Sequence, residues 1–468
     1  FKVSELRKGY LRILIESEKA GYFYYDAFNP TAVEVQPEGI DLLKMYSMIP
    51  LASGHMKHWN AKLREIKTMG FDCVHLLPIT KMGASQSPYS AADLYEIDPM
   101  YATSMTDFEV FVRNAKSLKL RLCFDLVLNH ISPDSQLAKD NPDWIVPDTT
   151  ESDGMKRAGC WHEASWIRWG DLVLINFEHP DITTRTLIWN ELKKYAMYWA
   201  KFAAETNGML RLDNLHSSNE AFVTMLRQEL KEHYPDLIIF AEFFADDKEL
   251  ALKTYEWDLN LLLGQPWHYD FIPQLREYFQ KVHSESLQLH HVTPITTHDT
   301  PSIQQMYSDS CYMIPRYAAS SFLSCGKTGI TMGVELAEQE KLKFIGKPYD
   351  LDISKEHPFK LELKRINDLL TQEKTLRQNS NLIFIDHGHE ALLVALRKDR
   401  LGRGNDLIVA ISMDKHHEQG LHVNLDSSLG LGDTVSFIEL GVEEQIEIKS
   451  STYITLKPCS YRLFKRKS

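Results

Sequence analysis

The sequence predicts a (β/α)8 barrel that is interrupted by an irregular inserted domain and followed by an antiparallel β-sandwich. Three observations predict this fold. About eight apolar runs alternate with amphipathic helical segments up to residue 380, a stretch without periodicity interrupts them after the third run, and alternating strands follow residue 380. We place the barrel at residues 1–129 and 186–380, the inserted domain at 130–185 and the sandwich at 381–468.

Each barrel strand is expected at a continuous apolar run, because strands of a parallel sheet are buried on both faces. The expected strands are Lys44–Pro50, Phe71–Pro78, Leu120–Leu128, Met209–Asp213, Leu237–Glu242, Trp257–Leu263, Val292–Thr297 and Thr328–Met332. Apolar residues at helical spacing predict intervening helices with stripes that begin at Trp59, Phe108 and Leu187. Ser217 and Glu220 have the spacing of a capping box, which predicts that Ser217 caps the helix after the fourth strand.

Changes of pattern predict the other two domains. So long an irregular stretch within a compact domain is usually functional, and this one leaves the carboxyl end of the third strand, where it would overhang the barrel mouth. Beyond residue 380, alternation and Gly or Asp turns predict seven strands, at Leu382–Ile385, Ala391–Leu396, Asp406–Ser412, Gly420–Leu425, Thr434–Glu439, Gln445–Ile448 and Tyr453–Leu456.

Composition limits the classes of partner. The 64 Asp and Glu residues exceed the 52 Lys and Arg residues, which gives a net charge of −12 at pH 7. That balance disfavours a nucleic-acid partner and suits a neutral ligand. No apolar stretch approaches the roughly 20 residues of a membrane span, so no membrane partner is predicted. The pattern leaves the oligomeric state open.

The six cysteines show no metal-ligand spacing. Cys73 and Cys123 lie inside strand-like runs, where we interpret them as small buried side chains. A disulfide framework is not expected at this chain length, which favours a reducing, cytoplasmic location. Because the chain begins at Phe1 rather than Met, a removed signal peptide stays open as an alternative.

Four strand-like runs end in ionisable residues, at Asp125–His130, Arg211–His216, Phe240–Phe243 and Thr296–Asp299. Charged side chains are hard to place in a core, and ligand sites gather at the carboxyl ends of parallel strands. The pattern therefore predicts an active site at the barrel mouth, on the third, fourth, fifth and seventh strands.

Two of these carboxylates suit the chemistry of a glycosidic bond. Retaining glycosidases use two carboxyl groups about 5 Å apart, and neighbouring strands lie about 4.8 Å apart. Asp213 and Glu242 would end consecutive strands. Arg211 is expected to hold the pKa of Asp213 low, which would leave it ionised as the nucleophile. Glu242, flanked by Phe243 and Phe244, is expected to have a raised pKa and to act as the general acid.

Other polar residues complete the expected site. Asp299, at the end of the seventh strand, could stabilise the developing oxocarbenium charge, and His130 and His298 could donate hydrogen bonds to sugar hydroxyls. We interpret Asp125 as structural and His75 as a core histidine. The tryptophans of the inserted domain form either its own core or a platform for a sugar ring, and they are Trp144, Trp161, Trp166 and Trp169.

These segments resemble the conserved regions of the α-amylase family, the family 13 glycoside hydrolases. Asp125–His130 is similar to the first region, and Arg211–Asp213 is similar to the second region, which carries the nucleophile. Glu242 matches the general acid/base. His298–Asp299 is similar to the fourth region, which carries the transition-state stabiliser.

Two further segments extend the resemblance. Pro88–Tyr95 resembles the loop after the second strand, whose tyrosine, here Tyr89, stacks on the sugar in the −1 subsite. Asn176–Pro180 is similar to a short region late in the inserted domain B. The resemblance covers roughly residues 44–335, and the C-terminal sandwich fits the family's domain C. It implies a −1 subsite that includes Tyr89, His130, Arg211 and His298.

The departures from the family's pattern point to one branch of it. Asp213–Ser217 places a histidine three residues after the nucleophile, whereas many amylases have Lys-His with the histidine four residues on. This form resembles the glucanotransferase domain of glycogen debranching enzymes, and also maltosyltransferases. Trp169–Asp171 and Met82–Ser85 favour the same comparison, and Thr297 replaces the asparagine that usually precedes the fourth-region histidine.

The resemblance does not favour calcium. Val173–Ile175 stands where amylases have an acidic residue that helps to hold the ion. Asn129 is the one candidate metal ligand, and alone it makes a poor site, because Ca²⁺ takes six to eight oxygen ligands. We therefore expect that no cofactor is required.

The resemblance implies a retaining enzyme that acts on α-1,4-glucans through a glycosyl-enzyme, as an amylase or a 4-α-glucanotransferase. The alternative is a catalytically inactive glucan-binding or regulatory protein on the same fold. Such relatives typically lose one or more of the three carboxylates, and here Asp213, Glu242 and Asp299 are all present.

Overall fold

The computed structural model describes residues 9–12, 32–35, 37, 39–162, 165–285, 289–402, 404–425, 429, 431, 435–441, 447–448 and 451–467. The strands are β1 (Gly9–Arg12), β2 (Ala32–Val35), β3 (Leu43–Met48), β4 (Cys73–Leu76), β5 (Arg121–Val127), β6 (His130–Ile131), β7 (Arg157–His162), β8 (Ser165–Leu174), β9 (Met209–Asp213), β10 (Ile238–Ala241), β11 (Leu261–Leu263), β12 (His291–Pro294), β13 (Lys327–Thr331), β14 (Leu382–Phe384), β15 (Leu392–Arg397), β16 (Leu407–Ser412), β17 (Gln419–Asn424), β18 (Phe437–Glu439), β19 (Glu447–Ile448), β20 (Ser451–Leu456) and β21 (Ser460–Arg466). The helices are α1 (Trp59–Thr68), α2 (Met105–Ser117), α3 (Gln136–Asp140), α4 (Ile182–Glu205), α5 (Glu220–His233), α6 (Asp247–Glu256), α7 (Ile272–Glu285), α8 (Ile303–Tyr307), α9 (Met313–Phe322) and α10 (Pro358–Gln372). Within these ranges, no helix combines the length and the apolar character that crossing a bilayer requires.

Eight parallel strands form a closed barrel. Their order is β3-β4-β5-β9-β10-β11-β12-β13, and β13 pairs with β3 to close it. Each of the eight coincides with an expected apolar run, so the predicted (β/α)8 barrel is confirmed. β11 is shorter than expected, because Trp257 lies at the carboxyl end of α6 rather than in the strand.

The inward-facing side chains of the barrel form layers, because residues two apart in a strand lie on the same face. One layer is apolar and includes Met45, Cys73, Cys123 and Met209. Two residues further along the same four strands stand Ser47, His75, Asp125 and Arg211, and all four are buried. The two cysteines are buried as interpreted, and the interior changes from apolar to polar towards the carboxyl ends of the strands.

Two local predictions about the helices are wrong. Leu187 is 53% exposed, and the buried stripe of α4 begins instead at Ile188. Asn219 rather than Ser217 caps α5, since the Asn219 side chain accepts a main-chain N–H of the first turn at 3.0 Å. Ser217 lies in a 3-10 turn and donates to the side chain of Asn214.

The segment after the third barrel strand contains a small antiparallel sheet in the order β6-β8-β7. Ile131 of β6 pairs with Val173 of β8, which attaches this sheet to the end of the third barrel strand. The long hairpin of β7 and β8 adds regular structure that the sequence pattern did not predict. Ile167 and Arg168 are consecutive in β8 and both exposed, so no alternation marks the strand. The domain boundaries that we placed stay predictions.

Antiparallel sheets follow residue 380, as expected. Six strands pair in the order β14-β15-β16-β21-β18-β19, and β17 pairs with β20. β21 is an additional strand. The expected strand starts at Thr434 and Gln445 lie outside the described residues.

Arg397 of β15 joins this sheet to the barrel. Its side chain is fully buried. The guanidinium donates to the main-chain oxygens of Ser324, Leu376 and Gln378 at 2.7, 3.1 and 3.0 Å, and its Nε donates to the side chain of Asn381 at 2.8 Å. Burial lowers the pKa of Arg397 to about 10. This side chain therefore satisfies buried main-chain oxygens that belong to two different segments.

Candidate active site

Arg211 is the centre of the polar layer at the barrel mouth. Asp125 of β5 and Arg211 of β9 are register partners, so their side chains point the same way. Nη1 of Arg211 donates to Asp125 and, at 2.8 Å, to Asp213, which lies two residues further along its own strand. Nη2 lies 2.8 Å from Oε2 of Glu242, just beyond β10. One guanidinium therefore joins three carboxylates from three adjacent strands.

The turn after Asp213 brings the fourth and fifth strands together. Asn214 has a left-handed backbone with φ of 45°, a conformation that asparagine tolerates better than most residues. Its N–H donates to Oε2 of Glu242 at 3.0 Å, and the N–H of Leu215 donates to the Glu242 main-chain oxygen at 2.9 Å. The unusual segment after the expected nucleophile thus holds the expected general acid by both its side chain and its backbone.

The expectation of a low pKa for Asp213 is wrong. Burial raises the pKa of Asp213; the charge of Arg211 opposes that rise, and the negative charges of Glu242 and Asp125 add to it. For Asp125, burial opposes ionisation, but the charge of Arg211 and a hydrogen bond from His75 hold the pKa below its usual range. Because one cation is shared among three carboxylates, it keeps Asp125 ionised and leaves Asp213 the easier to protonate.

Tyr89 and His298 extend this network beyond Asp125. The Tyr89 hydroxyl donates to Oδ2 of Asp125 at 2.9 Å, and its oxygen lies 2.7 Å from Nε2 of His298. Because an ionised carboxylate only accepts, the proton between tyrosine and histidine comes from Nε2. The same nitrogen lies 3.1 Å from Oδ2 of Asp299. Burial, together with the charge of Arg211, lowers the pKa of His298 to about 3, so the imidazole is neutral at pH 7.

His75 and Asp125 belong to this network, although we interpreted one as a core residue and the other as structural. Nε2 of His75 lies 3.3 Å from Oδ2 of Asp125, and Nδ1 lies 3.0 Å from Oγ of Ser47. Both are buried, but their partners include Tyr89 and Arg211. The strand register explains the contact: His75 pairs with Cys123 on the next strand, and Asp125, two residues after Cys123, lies on the same face of that strand. No pattern in the sequence reveals this register.

These side chains surround a pocket. Arg211, Glu242, His298 and Asp299 line an open space of about 330 Å³ that extends down to His75. Six of the seven expected site residues thus form two contacting groups: Arg211 with Asp213 and Glu242, and His298 with Tyr89 and Asp299. Asp125 links the two groups, because it accepts from both Arg211 and Tyr89.

His130 is the seventh expected residue, and it stands at the edge of this group. It is buried, and neither ring nitrogen has a hydrogen-bond partner among the residues that the structure describes. Burial lowers the pKa of His130 to about 4, and its ring lies 6.5 Å from that of Trp169. Trp144 packs partly buried against the main core, whereas the side chains of Trp161 and Trp166 lie outside the description.

The surroundings of Asn129 do not fit a calcium ion. Its Oδ1 is buried without a protein partner in the described ranges, but its backbone oxygen accepts the N–H of Ile175. Val173 and Ile175 beside it are apolar and buried. Such a set falls short of the six to eight oxygens that Ca²⁺ takes. The expectation that no cofactor is required stays a prediction.

An aromatic surface follows Glu242 in the chain. Phe244 is 38% exposed, and its ring lies 6.1 Å from the ring of His216. Phe243 packs inward against Trp257. Sequence reasoning used Phe244 only as an apolar neighbour of Glu242, because nothing in the sequence distinguishes the exposed phenylalanine from the buried one.

Parts of this chain are similar in sequence to known proteins. Residues 38–150 match the family described as glycogen debranching enzyme, glucanotransferase domain. An α-1,4-glucan:maltose-1-phosphate maltosyltransferase from Picrophilus torridus is 22% identical over 80% of this chain and 61% of its own length. One from Methylacidiphilum infernorum is 23% identical over 90% of this chain and 63% of its own length. The chain thus spans less than two thirds of these relatives.

Solved structures share the fold. A maltogenic α-amylase from Thermotoga neapolitana superposes with a TM-score of 0.73 at 19% identity, over 92% of this chain and all of the other. The α-amylase from Geobacillus thermoleovorans gives a TM-score of 0.69 at 18% identity, over 91% of this chain and 98% of the other. The resemblance to the α-amylase family and to the glucanotransferase domain of glycogen debranching enzymes is thereby confirmed; the debranching-enzyme match ends at residue 150, before the second region.

Proposed function

We propose that this chain is a retaining enzyme of α-1,4-glucans, with transfer to a sugar acceptor favoured over hydrolysis. The observation that carries the proposal is the bridge from Arg211 to Asp213 and Glu242, each at 2.8 Å. Two carboxylates on one guanidinium are compatible with the separation of about 5 Å that double displacement needs. The acidic chain suits a neutral glucan as its partner.

The proposed reaction has two displacements. Asp213 attacks the anomeric carbon while Glu242 protonates the departing glycosidic oxygen, which leaves a glycosyl ester on Asp213. An acceptor hydroxyl then gives its proton to Glu242 and displaces Asp213. Asp299 would stabilise the positive charge in both transition states, and His298, Tyr89 and the buried ring of His130 would contact the sugar.

The acceptor side supports transfer. Sugar rings stack on exposed aromatic faces, and Phe244 with His216 offers such a surface beside Glu242, the residue that must meet the incoming hydroxyl. A water molecule would gain nothing from that surface. The alternative of an inactive glucan-binding protein is not favoured, because Asp213, Glu242 and Asp299 all lie at the barrel mouth.

The test is incubation with maltoheptaose, followed by separation of the products by length. Products longer than the substrate mean transfer, and shorter products alone mean hydrolysis. An unchanged substrate with the wild type, as with Asp213→Asn, would overturn the proposal of glucan turnover. Because the names of the sequence relatives include maltose 1-phosphate, a second assay supplies that donor with glycogen and measures released phosphate.

A further inference from the structure

The loop over residues 333–351, which follows the last barrel strand, is fixed at both ends. Near its start, Glu335 is fully buried, and its Oε1 accepts from the hydroxyl of Tyr46 at 2.6 Å, while Oε2 accepts the main-chain N–H of residue 333 at 2.9 Å. Near its end, the N–H of Tyr349 donates to the main-chain oxygen of residue 51 at 2.8 Å. We call it the β13 loop. Both ends of the loop are thereby attached to the barrel or to the segment that follows its first strand.

The middle of the β13 loop is attached to the turn that carries Asp299. Nζ of Lys341 donates to the main-chain oxygen of Asp299 at 2.8 Å. The main-chain N–H of Lys341 donates to Oε1 of Gln305 at 3.0 Å, and that oxygen also accepts the N–H of Ser302 at 3.0 Å. Ser302 in turn donates its hydroxyl to the main-chain oxygen of Gln339. Three hydrogen bonds thus join two segments that lie far apart in the sequence.

The same stretch supports the aromatic side of the site. Phe344 meets the ring of His298 edge-on at 5.3 Å and 86°, and the ring of Tyr89 at 6.3 Å and 89°. Nζ of Lys341 lies 5.3 Å from the centre of the Phe344 ring. Lys341 therefore contacts both the backbone of Asp299 and the side chain of Phe344, which packs against His298 and Tyr89.

Asp299 needs such support. Its side chain is 61% exposed, and His298 is the partner that it contacts directly, at 3.1 Å. The conformation of its backbone therefore determines where the carboxylate points. We propose that Lys341 is a positioning residue for Asp299, which acts by fixing the main chain of the stabilising carboxylate and not by binding the substrate. This inference rests on the proposed function.

The test compares Lys341→Met, Lys341→Arg and Gln305→Ala with the wild type and with Lys343→Met, whose exposed side chain provides the control. In Lys341→Met we expect kcat to fall about 10- to 100-fold with KM nearly unchanged, because misplacement of a catalytic group affects the transition state most. Lys341→Arg keeps a donor and should recover most of the activity. Gln305→Ala should lower kcat in the same direction, and Lys343→Met should match the wild type.

Two further measurements distinguish positioning from general damage. With α-maltosyl fluoride, whose leaving group needs no proton, the defect of Lys341→Met should persist, because Asp299 acts whatever the leaving group. In an Asp299→Asn background, Lys341→Met should lower kcat less than twofold further, since the two residues act as one unit. Thermal unfolding of each variant checks that the fold is intact.

Several outcomes would overturn the inference: a wild-type kcat in Lys341→Met, an equal loss in Lys341→Arg, or a full additional loss in the Asp299→Asn background. Each of them requires an active wild type and so leaves the proposed function standing. A wild-type protein that converts neither maltoheptaose nor α-maltosyl fluoride would overturn the proposed function instead.

Discussion

Nη1 of Arg211 lies 2.8 Å from Oδ1 of Asp213, and the same nitrogen also donates to Asp125. The charge that should favour an ionised Asp213 is therefore divided, while burial and the neighbouring carboxylates raise the pKa of Asp213. A raised pKa means that the carboxylate ionises only above the ordinary value of about 3.9. Since a nucleophile acts in its ionised form, kcat/KM should fall as the pH drops through that raised pKa.

The acid limb of the pH profile should move when Asp125 is changed. Asp125→Asn removes one negative charge from beside Asp213 and frees part of Arg211, and both effects lower the pKa of Asp213. We expect the acid limb of kcat/KM to shift to lower pH, whatever the maximal rate. Asp143→Asn, at an exposed position in the inserted segment, is the control. A limb that stays in place in Asp125→Asn would show that another group sets it.

Glu242→Gln should separate the two displacements. We expect kcat on maltoheptaose to fall about 10²- to 10⁴-fold, the usual contribution of a general acid. With α-maltosyl fluoride the first step needs no proton, so the maltosyl ester should accumulate, and mass spectrometry of the digested protein should find it on Asp213. Glu249→Gln, at an exposed glutamate of α6, should behave as the wild type. A label on any other residue would refute the assignment of the nucleophile.

Removing the exposed ring at the acceptor side should change the partition of products. Phe244→Ala takes away a stacking surface worth about 1 kcal/mol, which corresponds to about a fivefold loss in acceptor binding. We expect the yield of products longer than maltoheptaose to fall by a similar factor, with initial donor cleavage largely retained. Leu252→Ala, at a 50% exposed position of α6, is the matched control. Unchanged product lengths in Phe244→Ala would exclude this ring from the acceptor site.

Arg397→Met should destabilise the protein away from the active site. It leaves several buried main-chain oxygens without donors, which costs about 2 to 5 kcal/mol in total. A lower midpoint of thermal unfolding is expected, with KM for maltoheptaose unchanged in the protein that stays folded. Arg400→Met removes an exposed arginine three residues away and should leave the midpoint in place. Equal midpoints for both variants would contradict the role of Arg397.

The sequence predicted the strands and the mouth because burial on both faces leaves an uninterrupted apolar run, and charge at its end is conspicuous. It did not predict which side chains meet, since that depends on strand register. His75 is an example: its contact with Asp125 follows from pairing with Cys123 on the next strand. The pKa of Asp213 could not be predicted either. The sequence shows that Arg211 is close to Asp213, but it does not show that Asp125 and Glu242 contact the same guanidinium.

Predictions that rest on a few residues were less reliable than predictions that rest on long apolar runs. Ser217 has the spacing of a capping residue, but its hydroxyl donates to Asn214 in the left-handed turn, and Asn219, two residues later, caps the helix. Lys341 and Phe344 lie in a loop without periodicity, so no pattern marked them as neighbours of Asp299 and His298. Residues that support the site from loops depend on how the chain returns to the barrel, which only the tertiary structure reveals.

The position of β21 in its sheet has a consequence for synthesis. β21 lies between β16 and β18, although it follows both of them in the chain. Until residues 460–466 have left the ribosome, β16 and β18 each present an open edge with unpaired main-chain groups. Open edges are the usual starting points of aggregation. The nascent chain should therefore depend on chaperones longest at this sheet, well after the strands of the barrel have all been made.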